Sequence, residues 1–178
     1  DLAQALAEAI VELVRRLRSQ YPGLHIKAFT AVEIAYFAKT ARKSEAQILS
    51  ELKAAGVEAL PGGGAEIFSE RLWKQHWPNK VGPKDWVRIH QLAHGLGLAT
   101  NATMLFGFGD TWDERIHHLL TLRQAQDQSG GFACFIPLAF QPGEGNFIAY
   151  GPTPLETLTV VAIARLVLDN IPHLKSYW

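Results

Sequence analysis

The sequence predicts an α/β protein in which helices alternate with parallel strands, as in part of a (β/α) barrel. Helical segments and short apolar segments alternate along the 178 residues. The strand candidates are nearly continuous apolar runs, which are typical of a parallel sheet covered by helices. Polar and glycine-rich residues follow several of these runs, and the sites of such barrels lie at the carboxyl ends of the strands.

Apolar residues at helical spacing, together with capping residues, predict seven helices. Ser44 with Gln47 and Thr111 with Glu114 form capping boxes, in which the first turn of a helix is closed by reciprocal side-chain bonds. Pro154 suits the first helical position because it lacks an N–H group. The helices are predicted at residues 1–20, 31–40, 44–55, 66–76, 83–96, 111–128 and 153–170.

Five strand candidates separate these helices, at residues 24–30, 57–60, 100–106, 132–140 and 173–178. Five strands do not close a ring, and a complete barrel takes about 250 residues. We therefore expect residues 1–178 to be one partial barrel domain, a piece of a longer chain that lacks its N-terminal strands. The alternative fold is a flavodoxin-like open sheet of five strands.

Composition limits the classes of function. Lys plus Arg (17) equals Asp plus Glu (17), so charge gives no reason to expect a nucleic-acid or membrane partner. No apolar run reaches the roughly 18 residues of a membrane span. The only cysteine, Cys134, excludes an intrachain disulfide and a cysteine-only metal site, and we expect no metal ligands in this chain. His90 and His94 are interpreted as a helix-packing pair. A cytoplasmic location fits these features.

Polar residues in the first strand candidate indicate a ligand site. His25 and Lys27 alternate with apolar residues, so both are expected on the inner face of the barrel. An inward lysine is costly unless it meets a carboxylate or an anionic ligand. A structural pair between Lys27 and Glu33 is the alternative to a ligand contact.

The second strand candidate ends in consecutive glycines, through which a backbone can approach a ligand closely. Glu66 is expected to open the next helix, and Arg71 follows five residues later. The two charges could hold the amino and carboxylate ends of an amino acid, although a helix N-terminal acid and a solvated arginine fit the spacing equally well. The backbone candidates of this loop are Pro61, Gly62, Gly63 and Gly64.

The third and fourth strand candidates add neutral polar groups. Asn101 and Thr103 share one strand face, where an amide and a hydroxyl suit a polar organic ligand. Pro137 follows Ile136 inside an apolar run, which marks either the end of the strand or a carbonyl available to a ligand. Cys134 is interpreted as a small buried apolar residue.

Six segments together resemble the aminodeoxyfutalosine synthases, radical S-adenosylmethionine enzymes of the futalosine route to menaquinone. The segments follow the order of that family across nearly the whole chain: 25–34, 60–68, 101–105, 130–132, 135–140 and 168–178. Two sister enzymes, the dehypoxanthine futalosine cyclase and the deazaflavin-cofactor synthase, share much of the scaffold. Three of the segments resemble the versions of the synthase: His-Ile-Lys-Ala-Phe-Thr, Phe-Ile-Pro-Leu-Ala-Phe and Pro-His-Leu-Lys-Ser-Tyr-Trp.

The resemblance implies a TIM-type radical S-adenosylmethionine barrel, of which this chain would cover the helix after the second strand to the seventh strand. It implies a [4Fe–4S] cluster on a Cys-x-x-x-Cys-x-x-Cys loop that this sequence lacks, so its ligands would lie upstream. An electron donor such as flavodoxin or ferredoxin would reduce the cluster. Where the family has Gly-His-x-Glu, this chain has Gly107-Phe108-Gly109-Asp110, and Asp110 could still serve as the acidic end of that motif.

The implied reaction adds a 5′-deoxyadenosyl radical to 3-[(1-carboxyvinyl)oxy]benzoate and yields aminodeoxyfutalosine. The cyclase reaction and an inactive homologue without a cluster remain alternatives, and the 178-residue chain alone is expected to show no catalysis. The predicted catalytic residues are His25, Lys27, Glu33, Asn101 and Thr103. The predicted S-adenosylmethionine contacts are Pro61, Gly62, Gly63, Gly64, Glu66, Arg71, Ile136 and Pro137.

Overall fold

A computed structural model describes residues 2–143 and 151–177. Helices and strands alternate along most of this part of the chain, as the sequence predicts. The helices are α1 (Leu2–Gln20), α2 (Ala31–Ala41), α3 (Glu45–Ala55), α4 (Glu70–His76), α5 (Pro83–Gly95), α6 (Trp112–Ser129) and α7 (Pro154–Val167). The strands are β1 (Ala59–Leu60), β2 (Ala99–Phe106), β3 (Phe132–Ala139) and β4 (His173–Leu174).

The predicted helix starts are confirmed at the capping boxes. The side chains of Ser44 and Thr111 accept hydrogen bonds from the third residue of α3 and α6, and the return bonds are present. The prediction for residues 66–76 is wrong at its start, because α4 begins only at Glu70. Glu66 has a φ of 47°, outside the range of a right-handed helix, so it belongs to the preceding loop.

The sheet is parallel, and its strands follow one another in chain order, β1-β2-β3-β4. The strand predicted at 24–30 is reduced to one parallel bridge between Lys27 and Ala59, because Phe29 has a positive φ that ends the extended backbone. A flavodoxin-like sheet would reverse its strand order at a switch point, 2-1-3-4-5. The sequential order excludes that alternative and confirms the α/β class of a partial barrel.

One β-bulge in β3 decides which residues face the helices. Thr100 pairs with Phe132 and Asn101 with Cys134, so Ala133 is the extra residue. Beyond the bulge, Ala102 and Phe135 point into the helix layer and join the main core. The same core contains the largest apolar side chains of this layer, among them Ile34, Leu49, Leu60, Trp86, Ile89, Met104, Phe106 and Phe132. In residues 2–143 and 151–177, no helix has the length and apolarity of a membrane span.

A second, smaller apolar cluster lies at the carboxyl ends of β2 and β3. Ile67, Leu72 and Phe108 are buried there, and Leu105 and Trp77 pack against them. The loop before α4 reaches this end of the sheet because the N–H of Leu105 donates to the carbonyl of Glu66 at 2.7 Å. We call this set, with Phe140, the cap cluster.

Candidate functional site on the inner face of the sheet

The candidate site is the face of the sheet that points away from the helices, which we call the inner face. Its members are identified by the pairing register: residues paired across parallel strands point to the same side. The residues that face the helices are those of the main core. The inner face is formed by Lys27, Ala59, Asn101, Thr103, Leu105, Cys134, Ile136, Leu138 and His173. Alternation adds Lys175, two residues after His173, whose N–H donates to the carbonyl of Phe135.

Asn101 and Thr103 form the centre of the inner face, as predicted. Both side chains are buried, with 8% and 7% of their surface exposed. The Thr103 hydroxyl donates to the carbonyl of Gly62 at 2.6 Å. No described residue makes a hydrogen bond with the Asn101 side chain. The Asn101 amide is not among the fully buried polar groups that lack a partner, so it reaches the surface of the inner face and is available to a ligand.

The glycine loop lies against β2, and steric contacts require its first glycine. A Cβ on Gly62 would come within 2.6 Å of the carbonyl oxygen of Asn101. The carbonyl of Gly63 accepts a bond from the Trp86 indole at 3.2 Å, and Gly64 has a φ of 85°. The loop that begins at Pro61 is therefore fixed beside the carboxyl half of the inner face.

Lys27 and His25 do not lie together. The side chain of Lys27 is exposed, and it has no carboxylate partner among the described residues, so the expected structural pair with Glu33 does not form. His25 lies toward the amino end of the sheet, where its Nδ1 is 3.3 Å from Glu58 Oε2. Arg18 binds the same carboxylate at 2.7 Å, so this is a separate surface cluster.

Three predicted site residues have structural partners elsewhere. The Glu33 carboxylate accepts bonds from the backbone N–H and the hydroxyl of Thr30, which caps α2. Glu66 pairs with Lys80. Arg71 binds Glu114 at 2.9 Å and the carbonyl of Gly109 at 2.9 Å, in the loop after β2. The structure does not bring Glu66 and Arg71 into one amino-acid clamp, and the cofactor roles of both remain predictions.

The carboxylate of Glu114 holds Arg71 in place because it stays charged. Burial would raise the pKa of the Glu114 carboxyl, but bonds from Arg71, from the Ser69 hydroxyl and from the Thr111 N–H lower that pKa to about 2. The carboxylate is therefore charged at neutral pH and ties α4 to the start of α6.

Asp110 forms the loop at the carboxyl end of β2. Its Oδ1 accepts the backbone N–H groups of Gly107 and Phe108, at 2.6 and 2.9 Å. Its Oδ2 binds Arg115, which also pairs with Glu156 at 2.7 Å. Both side chains of the Asp110–Arg115 pair are buried. Asp110 thus holds Phe108 in the cap cluster and is engaged entirely within the protein.

Buried histidines stabilise the helix layer and do not reach the inner face. His118 accepts a bond from the N–H of Phe68 at Nδ1 and therefore donates from Nε2 to the carbonyl of Thr103. Burial lowers its pKa to about 3. His90 and His94 pack against Phe132, which confirms the interpretation of a packing pair. No group of three potential ligand side chains occurs in the described ranges.

Cys134 is buried on the inner face, as predicted, and burial raises the pKa of its thiol. The positive charges of Lys175 and Lys27 oppose this effect and lower that pKa. Ile136 is buried beside Thr103, with which it pairs. Pro137 pairs with Met104 of the main core, so its side chain points to the helices and away from the inner face. The proline is therefore inside the strand, not at its end.

Two cavities among the described residues lie outside the inner face. One of 540 Å³ separates α2 from the segment 76–81, and its lining includes Tyr36, Lys39 and Trp77. Another of 670 Å³ lies at the start of α5 and includes His117. Neither is lined by an inward-pointing strand residue, so neither includes the predicted site residues of β2 and β3.

Comparisons with curated proteins identify the relatives of the chain. The aminodeoxyfutalosine synthase of Thermus thermophilus is 49% identical over 174 residues, which are 94% of this chain and 46% of the relative. That of Streptomyces coelicolor is 40% identical over 176 residues, which are 93% of this chain and 46% of the relative. The chain is a homologue of the aminodeoxyfutalosine synthases. The resemblance found in the sequence is confirmed, and no family model matches the chain.

The chain spans about half the length of the curated aminodeoxyfutalosine synthases that it matches. Its similarity extends to a sister enzyme, since the cyclic dehypoxanthine futalosine synthase of Streptomyces coelicolor is 38% identical over 164 residues. That match covers 91% of this chain and 41% of the relative. The relatives bear the names of enzymes, and they differ from one another in the reaction that the name describes.

Sequence reasoning missed two features of the structure. Lys175 was not selected, although it follows His173 by two residues and alternation would have placed both on one face. The cap cluster was missed because Trp77 and Phe108 are 31 positions apart in the sequence, and no local pattern reports their contact, with ring centroids at 5.6 Å.

Proposed function

We propose that the protein acts as a radical S-adenosylmethionine aminodeoxyfutalosine synthase, a transferase that converts 3-[(1-carboxyvinyl)oxy]benzoate to aminodeoxyfutalosine. The observation that carries the proposal is the 49% identity to a curated synthase over 94% of the chain. The inner face supports it, because this face presents Lys27, Asn101 and Thr103 together.

The residues of this chain bind and shield the substrate in this proposal. Lys27 supplies a positive charge for one of the two substrate carboxylates, and no described carboxylate competes for it. Asn101 supplies an amide without a partner, while Thr103 fixes Gly62 and so holds the glycine loop at the site. The glycine loop lets the ligand approach the backbone of β2 closely.

The cap cluster excludes water from the carboxyl ends of the strands. Trp77 and Phe140 both pack against Phe108, with ring centroids 5.6 and 6.0 Å from it. An apolar surface of this kind keeps water out of a reactive site. Phe108 occupies the position where the family usually has histidine, so a direct role of that histidine would have to be supplied by another group.

Of the two cofactors that the family implies, this chain offers a contact surface for S-adenosylmethionine but no ligand set for the [4Fe–4S] cluster. Reductive cleavage of S-adenosylmethionine would supply a 5′-deoxyadenosyl radical, and the glycine loop with the backbone at Ile136 and Pro137 is the proposed contact surface for that cofactor. The [4Fe–4S] cluster does not fit these residues, because a cluster needs several thiolates and this chain has one cysteine. That cysteine is buried, and burial raises its pKa. We assign no step of the reaction to the cluster here.

A second candidate is the cyclase reaction, which the 38% identity to a cyclic dehypoxanthine futalosine synthase favours. Offering both substrates to the same preparation separates the two. The complete gene product, reconstituted with iron and sulfide, is incubated with S-adenosylmethionine and either a flavodoxin system or dithionite. We expect aminodeoxyfutalosine by mass spectrometry from the enol-ether benzoate only. Conversion of dehypoxanthine futalosine alone would refute the proposal in favour of the cyclase.

The role of Lys27 has its own test in the same assay. Lys27→Ala should raise KM for the enol-ether benzoate at least tenfold, because a charge-assisted bond to a carboxylate contributes about 1.5–3 kcal/mol. Lys84→Ala is the matched control, since Lys84 is an exposed lysine of α5 in the helix layer. Unchanged KM and turnover in Lys27→Ala would show that Lys27 does not bind the substrate.

A further inference from the structure

The inner face carries two lysines, one at each edge of the described sheet. Lys27 bridges to the outer side of β1, and Lys175 follows β4, where its N–H donates to the carbonyl of Phe135 at 3.0 Å. Both side chains are exposed, and neither has an ion-pair partner among residues 2–143 and 151–177. Most other ammonium and guanidinium groups of the described chain are paired, as the contacts of Lys80 and Arg115 illustrate.

The pairing of the strands places both lysines on the inner face, on either side of β2 and β3. The Cys134 thiol lies between them on β3, and both lysines lower its pKa while burial raises it. Four strand spacings of about 4.8 Å separate the edges of a flat sheet, and the curvature of a barrel shortens that distance. One small molecule lying across β2 and β3 can therefore be approached by both flexible lysine side chains.

The other residues of the inner face favour a ligand that is negatively charged and that also has a hydrogen-bonding group. Among its described members there is no carboxylate, and Asn101, on β2 between the lysines, has an amide that makes no hydrogen bond with a described residue. Two uncompensated positive charges favour a ligand with two negative ones. The apolar floor, Ile136 with Leu105, suits a flat ring.

We propose that Lys27 and Lys175 bind the two carboxylates of one aromatic dicarboxylate, with Asn101 donating to it between them. This assigns to Lys175 the second cationic position on the inner face, where the sequence had placed His25 beside Lys27. The assignment rests on the proposed function for the identity of the natural substrate, whereas the two-point recognition of a dicarboxylate is a property of the inner face itself.

The test is a calorimetric titration of the protein with isophthalate, which has two carboxylates, and with benzoate, which has one. The wild type should bind isophthalate at least tenfold more tightly than benzoate. Lys175→Met and Lys27→Met should each weaken isophthalate binding about tenfold and bring the ratio of the two affinities close to one. Lys175→Arg should keep the preference, and Lys84→Met, on the helix layer, should leave both affinities unchanged.

Two results would overturn the assignment: equal affinity of the wild type for both acids, or wild-type isophthalate binding by Lys175→Met. Urea unfolding of each variant checks that the fold is intact, which is expected because both lysines are exposed. If the complete protein forms no aminodeoxyfutalosine but keeps the isophthalate preference, the proposed reaction fails and the dicarboxylate site stands. If product forms without that preference, only the role of Lys175 fails.

Discussion

Mild acid should destabilise the protein through three buried histidines. His90, His94 and His118 are uncharged in the folded state, and burial lowers their pKa values to about 3, 4 and 3, from a reference of 6.5. Between pH 6.5 and the folded pKa, the unfolded chain binds protons that the folded chain does not bind. The free energy of unfolding therefore falls as the pH falls through this range, and the histidines contribute no such penalty above it.

The loss in free energy of unfolding follows from the number of pH units between 6.5 and the pH of the measurement. One pKa unit corresponds to 1.36 kcal/mol, so at pH 5.0 each histidine costs about 2 kcal/mol relative to pH 7.5. Together the three should cost about 6 kcal/mol, a large part of the stability of an ordinary domain. The Glu114 carboxyl, with its pKa lowered to about 2, loses its stabilising effect only below pH 4.5, and so it does not contribute in this window.

Urea unfolding at pH 7.5 and pH 5.0, followed by tryptophan fluorescence, measures this difference. His90→Leu should reduce it by about 2 kcal/mol, because neither ring nitrogen of His90 has a partner among the described residues and its removal eliminates one buried titrating group. His117→Gln is the control, since His117 is exposed on the same helix as His118. Equal stability at the two pH values, or an unchanged difference in His90→Leu, would refute the reasoning.

Two further substitutions test how the loops at the site are held. Gly62→Ala should destabilise the protein by about 1–3 kcal/mol in urea unfolding, because its Cβ would meet the Asn101 carbonyl, whereas Gly23→Ala, with no atom within 4 Å, should be neutral. A Gly62→Ala variant as stable as wild type would contradict the close approach. Asp110→Ala should cost about 3–5 kcal/mol, because it leaves the buried Arg115 with only Glu156 as a partner; a loss below 1 kcal/mol would show that the pair is dispensable.

Most of the fold could be predicted because the sequence patterns that define its helices and strands involve residues close together in the chain. Capping boxes at Ser44 and Thr111 gave the starts of two helices to within one residue, and continuous apolar runs located β2 and β3. The predicted strand at 24–30 and the predicted helix start at 66 were wrong because the backbone there adopts a conformation that ends the regular element. Phe29 and Glu66 have positive φ values that the sequence gives no reason to expect at a phenylalanine or a glutamate.

The site could be predicted only in part, because the side of the sheet to which a side chain points depends on how the strands pair. Asn101 and Thr103 share the inner face as alternation within β2 predicts. His25 was expected beside Lys27, but the chain is not a regular strand there, and Glu58 holds the imidazole at the other end. Arg71 also looked available in the sequence, and its partner Glu114 is 43 residues away.

A crystal structure of the protein with isophthalate tests the central claim most directly, namely that the inner face is the ligand-binding surface. The ring should lie over Asn101 and Ile136, with one carboxylate on Lys27 and the other on Lys175. Isophthalate bound instead in the cavity beside α2, or at the start of α5, with the inner face empty, would contradict the account.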